Sequence, residues 1–160
     1  MKKPPAPAAH SARTITVLCV DPVREDHAAL EAIFRGSPWI FCPDSIWALR
    51  ACESLRSASI LLCSGQFPLI LCEYDLRPGT WRELLALVEP LPDPPLVIVT
   101  SRVADERLWA EALNLGAYDV LAKPFDRTEV TRVLSMAWMH WTDQYRGGGT
   151  PKRVAAGGAL

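Results

Sequence analysis

The sequence lacks any apolar run long enough to cross a membrane. A membrane-spanning helix needs about 20 consecutive apolar residues, and no stretch of the 160-residue chain approaches that length. The opening Met-Lys-Lys is not followed by an apolar segment of the kind that forms a secretory signal peptide. We therefore expect a cytoplasmic protein with no membrane-bound part.

The sequence also has little net charge. It contains 17 lysines and arginines against 18 aspartates and glutamates, which gives a formal charge of -1 at pH 7. Proteins that bind nucleic acids by neutralising backbone phosphates carry a clear excess of positive charge. We therefore expect no nucleic-acid partner.

The cysteines and histidines are too scattered for a structural metal site. No two of the five cysteines form a C-x-x-C pair, and the three histidines never stand four residues apart. Structural zinc sites draw on such closely spaced ligands. Without a secretion signal, the cysteines are expected to be reduced thiols.

Short apolar runs alternate with segments of helical periodicity along the chain. Strands are predicted at the five apolar runs, which cover residues 14–20, 39–42, 69–72, 96–100 and 119–122. Apolar residues recur at helical intervals after each run, which predicts helices over residues 23–35, from 45 onward, 80–89, 105–115 and from 126 onward. Residues 57–65 either extend the second helix or form a separate turn.

Two of the predicted helices begin with a capping box. In Thr80-Trp81-Arg82-Glu83 and Asp126-Arg127-Thr128-Glu129, a short oxygen-bearing side chain precedes a glutamate by three residues. The two side chains can satisfy each other's unpaired backbone amides at a helix start.

The strand pattern predicts the fold class. Strands that are apolar throughout, without alternation, belong to parallel sheets covered on both faces. Five β–α units with right-handed crossovers then form a doubly wound five-stranded parallel sheet, the (βα)5 flavodoxin-like three-layer sandwich. We expect this domain over residues 14–145, with a disordered leader over 1–13 and a disordered Gly-rich tail over 146–160.

Four chemically active residues each come directly after, or at the end of, a predicted strand. They are Asp21, Glu73, Ser101 and Lys123. In doubly wound folds the functional crevice lies at the carboxyl ends of the strands. We therefore expect these four side chains to converge there.

The last predicted strand leads into a motif that identifies a resemblance. Lys123-Pro124-Phe125, preceded seven residues earlier by Gly116-Ala117, is similar to the receiver domain of two-component response regulators. The similarity covers about residues 14–145. In that family the lysine precedes a cis proline, and a serine or threonine lies fifteen residues before the glycine, a spacing that Ser101 satisfies.

The resemblance implies a phosphorylation pocket that has degenerated. The family's phosphoacceptor aspartate corresponds to Glu73, and its acidic pair corresponds to Asp21-Pro22. In the family the acceptor and the second acid of the pair bind Mg²⁺, which demands near-ideal octahedral oxygen ligands. Pro22 offers no side-chain ligand, and the longer Glu73 enters the space of the phosphoryl group. The resemblance therefore implies no cofactor, little Mg²⁺ affinity, and phosphoryl-contact positions at Ser101 and Lys123.

Three interpretations of the acidic residues after the third strand stay open. Glu73 either reaches Lys123 and Ser101 and mimics an activated state, or forms a structural ion pair with Lys123. Asp75 is a third candidate, as a displaced phosphoacceptor. The position where the family carries a switch aromatic is Val120, so we expect no aromatic coupling from the pocket to the surface.

These observations together predict a non-enzymatic, stand-alone pseudo-receiver of bacterial two-component phosphorelay signalling. It would act independently of phosphorylation by binding a protein such as a histidine kinase or a downstream output protein, with a homodimer as a further option. One alternative is a phosphorylatable receiver that uses Glu73 or Asp75 with Mg²⁺. A more distant alternative is a flavodoxin-like cofactor-binding protein or small enzyme. Such a protein would need a Ser/Thr/Gly-rich phosphate loop after the first strand. Residues 21–26 stand at that place, and they are acidic and lack glycine.

The tryptophans of the last two helices indicate where a partner could bind. Trp141 falls on the predicted inward face of the last helix. Trp109, Trp138 and Met139 either belong to the core or lie exposed on the face through which receivers bind partners, because interfaces favour such side chains.

Overall fold

A computed structural model describes residues 12–36, 39 and 42–146. Five strands alternate with five helices in the order β1 (Arg13–Val20), α1 (Arg24–Arg35), β2 (Ser45–Cys52), α2 (Leu55–Ser64), β3 (Leu69–Glu73), α3 (Trp81–Val88), β4 (Leu96–Ser101), α4 (Glu106–Asn114), β5 (Asp119–Ala122) and α5 (Arg127–Arg146). Most of the expected leader and tail, residues 1–11 and 147–160, lies outside the described residues. No helix in the described part of the chain is long and apolar enough to span a membrane.

All five strands are parallel and form one sheet with the order β2-β1-β3-β4-β5. Helices α1 and α5 bury their apolar side chains on one face of the sheet, and α2, α3 and α4 bury theirs on the other. Because both faces are covered, the central strands are apolar along almost their whole length. The predicted doubly wound three-layer fold is confirmed.

The predicted position of the second strand is wrong. Residues 45–52, expected to begin a helix, form β2, and the helix begins only at Leu55 behind its N-cap Ser54. Strand β2 lies at the edge of the sheet and buries only Trp47 and Cys52. Most residues of β2 are apolar, and the three-residue spacing of Ile46, Leu49 and Cys52 imitates a helix.

The strand predicted at residues 39–42 is not seen at the two of these residues that the structure describes. Neither Trp39 nor Cys42 lies in a strand, and residues 40 and 41 fall outside the described part of the chain. Trp39 is buried and stacks on Trp47, with ring centroids 4.0 Å apart and nearly parallel planes. Trp39 is therefore a core residue that packs beside β2, and this packing explains why an apolar residue stands here.

Two further predictions, the capping box at Thr80 and the burial of Trp141, are confirmed. The Thr80 hydroxyl accepts from the Glu83 amide at 3.2 Å and the Thr80 amide donates to Glu83 at 2.7 Å, which confirms that capping box. Trp141 is buried as predicted, and its Nε1–H donates to the Pro94 carbonyl. Of the residues left open, Trp138 belongs to the core, whereas Trp109 and Met139 are exposed.

Candidate functional site

The carboxyl ends of four strands bring the four predicted residues to one edge of the sheet. Asp21 follows β1, Glu73 ends β3, Ser101 ends β4 and Lys123 follows β5. Glu73, Ser101 and Lys123 line one cavity of about 720 Å³ that extends over the first turns of α4. Asp21 is fully buried beside them.

Lys123 is the centre of the site. Its ammonium donates to Asp21 Oδ2 at 2.5 Å, to Asp26 Oδ2 at 2.9 Å and to Glu73 Oε2. An ammonium has three N–H donors, and each of them has a carboxylate partner here. The side chain of Lys123 is 1% exposed. Burial alone would lower the pKa of Lys123, but the three hydrogen bonds outweigh it and raise that pKa above its ordinary value.

Two members of this cluster were missed by sequence reasoning. Asp26 lies in the first turn of α1, and Arg102 directly follows β4. Arg102 Nη2 donates to both carboxylate oxygens of Asp26, at 2.9 and 3.1 Å. The acidity of residues 21–26 was visible in the sequence, but only the packing of α1 against the sheet directs Asp26 toward Lys123.

All six oxygens of the three carboxylates accept hydrogen bonds from the protein. Asp21 uses its second oxygen, Oδ1, to accept from the Val23 amide at 2.9 Å. Glu73 uses Oε1 to accept from the Asp75 amide at 3.0 Å. Both oxygens of Asp26 accept from Arg102, and Oδ2 also accepts from Lys123. Every carboxylate oxygen of the cluster therefore has an internal partner.

Ser101 lies at the site without joining this cluster. Its hydroxyl oxygen accepts from the Val103 amide at 3.0 Å, in the turn that leads from β4 toward α4. Glu73 thus reaches Lys123 and the Asp75 amide, and the described hydrogen bonds do not connect it to Ser101. This arrangement resembles the structural ion pair more than the activation mimic.

Asp75 is turned toward solvent. Its side chain is 69% exposed and forms a surface ion pair with Arg77 Nε at 3.0 Å. Only its backbone amide contacts the cluster, through Glu73. The carboxylate of Asp75 is therefore held apart from Lys123.

The residues at this edge do not fit a magnesium ion. A magnesium ligand must offer an oxygen lone pair, and Mg²⁺ requires near-ideal octahedral geometry. Pro22 has no such side chain, and the carboxylates of Asp21, Asp26 and Glu73 already surround an ammonium. A cation that used all three carboxylates would have to displace Lys123. Across the part of the chain that is described, no group of three acidic, histidine or cysteine side chains is arranged for metal binding.

The neighbouring backbone matches one further sequence-based expectation. The Lys123-Pro124 peptide bond is cis, as the receiver resemblance implies, and Arg77-Pro78 is also cis. Val120 lies on β5 and is buried in the core cluster that also contains residues of α4.

Comparison with known proteins gives matches only among solved structures. No family model matches the chain, and neither does any curated protein. The signal receiver domain of an HD domain-containing protein from Pseudomonas fluorescens Pf-5 is 24% identical, with a TM-score of 0.67 over 82% of this chain and 99% of the other. The beryllofluoride-activated NtrC4 receiver domain dimer is 23% identical, with a TM-score of 0.65 over 79% and 98%.

A third match comes from a complex. The receiver domain of Ssk1 from Saccharomyces cerevisiae, solved with the histidine phosphotransfer protein Ypd1, is 15% identical, with a TM-score of 0.65 over 81% of this chain and 92% of the other. All three structures are covered almost completely by the described domain. This chain has the fold of the response regulator receiver domains.

Proposed function

We propose that this chain is a receiver-like domain of two-component phosphorelay signalling that acts by binding proteins and does not need to be phosphorylated. It would not be an enzyme and would use no cofactor. The observation that carries this proposal is the internally paired cluster around Lys123. Its three N–H donors and the six oxygens of Asp21, Asp26 and Glu73 are all engaged within the protein.

Phosphotransfer needs free groups at this edge. A transferred phosphoryl group is stabilised by cations aimed at its oxygens and by a nucleophile in line with the donor. Lys123 has no N–H left to offer, and the Glu73 carboxylate is held from both sides. Phosphorylation would have to break several buried charged hydrogen bonds, each worth about 1.5–3 kcal/mol.

A protein partner is supported by a different part of the molecule. Trp109 and Leu113, one turn apart on α4, and Met136 and Met139, one turn apart on α5, are large apolar side chains exposed to solvent. Aromatic and methionine side chains are favoured at protein interfaces. The match to a receiver solved with a phosphotransfer protein, and to a receiver dimer, suggests such partners here too.

The proposal is tested with a small phosphodonor. The wild-type chain is incubated with acetyl phosphate and Mg²⁺, and its intact mass is measured at neutral pH, where an acyl phosphate survives. We expect no adduct. The matched variant combines Pro22→Asp with Glu73→Asp, because either change alone leaves the metal site incomplete. An adduct on Glu73 or Asp75 of the wild-type chain would overturn the proposal.

Binding supplies the second arm of the test. The affinity for a purified histidine kinase or phosphotransfer protein is measured with and without the phosphodonor and Mg²⁺. We expect the protein to bind a partner with the same affinity in both conditions. A partner that binds only after phosphodonor treatment would contradict the proposal.

A further inference from the structure

The acidic cluster contains more negative charge than Lys123 alone can balance. The side chains of Asp21, Asp26 and Glu73 are 1%, 8% and 12% exposed, and one buried ammonium lies among them. Buried carboxylates are costly unless they are paired with cations. A second positive group therefore stabilises this site by reducing its excess negative charge.

Arg102 supplies that second charge. Its Nη2 contacts both oxygens of Asp26, so Asp26 lies between a guanidinium on one side and the Lys123 ammonium on the other. The contact joins the residue after β4 to the first turn of α1, across 76 positions of the sequence. Charge-assisted hydrogen bonds of this kind are roughly twice as strong as neutral ones.

The position of Arg102 also separates Asp26 from the cavity. Arg102 lines the cavity of about 720 Å³, and its side chain is 57% exposed, whereas the Asp26 side chain behind it is nearly buried. A dissolved cation that enters this cavity meets the guanidinium first. Repulsion between like charges then opposes its approach to the carboxylates.

We propose that Arg102 is the built-in counter-ion of this pocket, which takes the place of a divalent cation and denies it access to Asp26. Its positive charge is permanent, because a guanidinium does not lose its proton in proteins. The domain would then hold its acidic pocket in one charge state whatever the magnesium concentration. This role of Arg102 does not depend on which protein the domain binds.

The test removes the guanidinium and measures cation binding. In Arg102→Gln, Asp26 keeps its hydrogen bond from Lys123, but its Oδ1 loses its hydrogen-bond partner on the cavity side. The variant should therefore gain affinity for Mg²⁺ and Mn²⁺. Melting temperature is compared in MgCl₂ and in NaCl of equal ionic strength. We expect a rise of about 3 °C or more for the variant and under about 1 °C for the wild type, since a ligand that binds only the folded state raises its stability.

Arg107→Gln is the matched control. Arg107 lines the same cavity and, within the described residues, has neither an ion pair nor a hydrogen bond from its side chain. The substitution makes the same change in charge and should leave cation affinity at the wild-type level. An equal gain in Arg107→Gln would mean that net charge alone governs cation affinity, and the role assigned to Arg102 would be wrong.

Two further measurements keep the inference testable if Arg102→Gln folds poorly. Arg102→Lys retains a positive charge and should still exclude the cation. Binding of Mn²⁺ to the folded wild-type chain, followed by electron paramagnetic resonance, should be absent. Saturable Mn²⁺ binding to the wild type, or a folded Arg102→Gln with no gain, would overturn the proposal. Adding Asp26→Asn to Arg102→Gln should abolish the gain.

These outcomes are independent of the proposed function. A wild-type chain that accepts phosphate from acetyl phosphate would overturn phosphorylation independence, whatever the behaviour of the Arg102 variants. Conversely, unchanged cation affinity in Arg102→Gln would leave the phosphodonor result untouched.

Discussion

The ion pair between Lys123 and Glu73 passes over the end of β4 and links β5 to β3. Two residues that are 50 positions apart in the sequence thereby hold together two strands that are not neighbours in the sheet. Lys123 continues the link to Asp21 at the end of β1. One ammonium thus connects three of the five strands at the edge where receivers carry out their chemistry.

Glu73→Gln tests this link. The substitution nearly preserves volume but removes the charge that Lys123 contacts, while Asp21 and Asp26 continue to balance the ammonium. We expect a loss of about 1.5–3 kcal/mol in the free energy of unfolding, the range for a hydrogen bond to a charged group. Urea denaturation at pH 7 measures it.

Asp75→Asn is the control for Glu73→Gln. Its ion pair with Arg77 lies at the surface, where such pairs contribute under about 1 kcal/mol. An equal effect of the two substitutions would mean that the Glu73 pair is solvated. If Glu73→Gln lowers partner affinity without lowering stability, the activation-mimic interpretation of Glu73 is the correct one.

Alkaline pH tests the charge of Lys123. Because the pKa of Lys123 is raised in the folded state, the unfolded chain loses this proton first. The stabilisation is complete below the ordinary lysine pKa of about 10.4 and is lost as the pH rises above it. Between pH 6 and 9 the Lys123 contribution should therefore be constant.

Lys123→Arg is the matched variant for that experiment. The guanidinium stays charged throughout the range, so the decline in stability above about pH 10 should be smaller than in the wild type. Urea midpoints measured from pH 8 to 11 give the comparison. Identical pH profiles would show that the Lys123 proton does not contribute to alkaline unfolding.

The thiols should differ sharply in reactivity. Burial raises the pKa of Cys52 to about 11 and that of Cys19 well above the usual range, whereas Cys63 is exposed. Because the thiolate is the nucleophile, iodoacetamide at pH 8 should label Cys63 first in the folded protein. Peptide mass spectrometry follows the time course. Labelling of Cys19 as fast as Cys63 would contradict the described packing.

We expect the capping box of α3 to make a measurable contribution to the stability of the folded protein. Thr80→Ala removes the acceptor for the Glu83 amide, and loss of an N-cap side chain costs about 0.5–2 kcal/mol. Thermal or urea unfolding measures the change. Thr128→Ala, at an exposed position in the first turn of α5, serves as the control and should be close to neutral. Equal effects would show that the capping bonds contribute nothing specific.

The sequence alone determined the architecture and most of the site. Buried parallel strands must be apolar along their length, so the runs around β1, β3, β4 and β5 were visible without a structure. The carboxyl ends of parallel strands share one edge, so the sequence also determined that Asp21, Glu73 and Lys123 lie close together.

Only the tertiary structure decided the rest. An edge strand buries few residues, so the apolar pattern of β2 could not be distinguished from that of a helix. Its pairing with β1 shows that it is a strand. The roles of Asp26 and Arg102 depend on the direction in which α1 packs on the sheet, which brings together residues 76 positions apart. Local periodicity records which face of an element is buried, but the partner of a buried charge is set by the packing of distant elements.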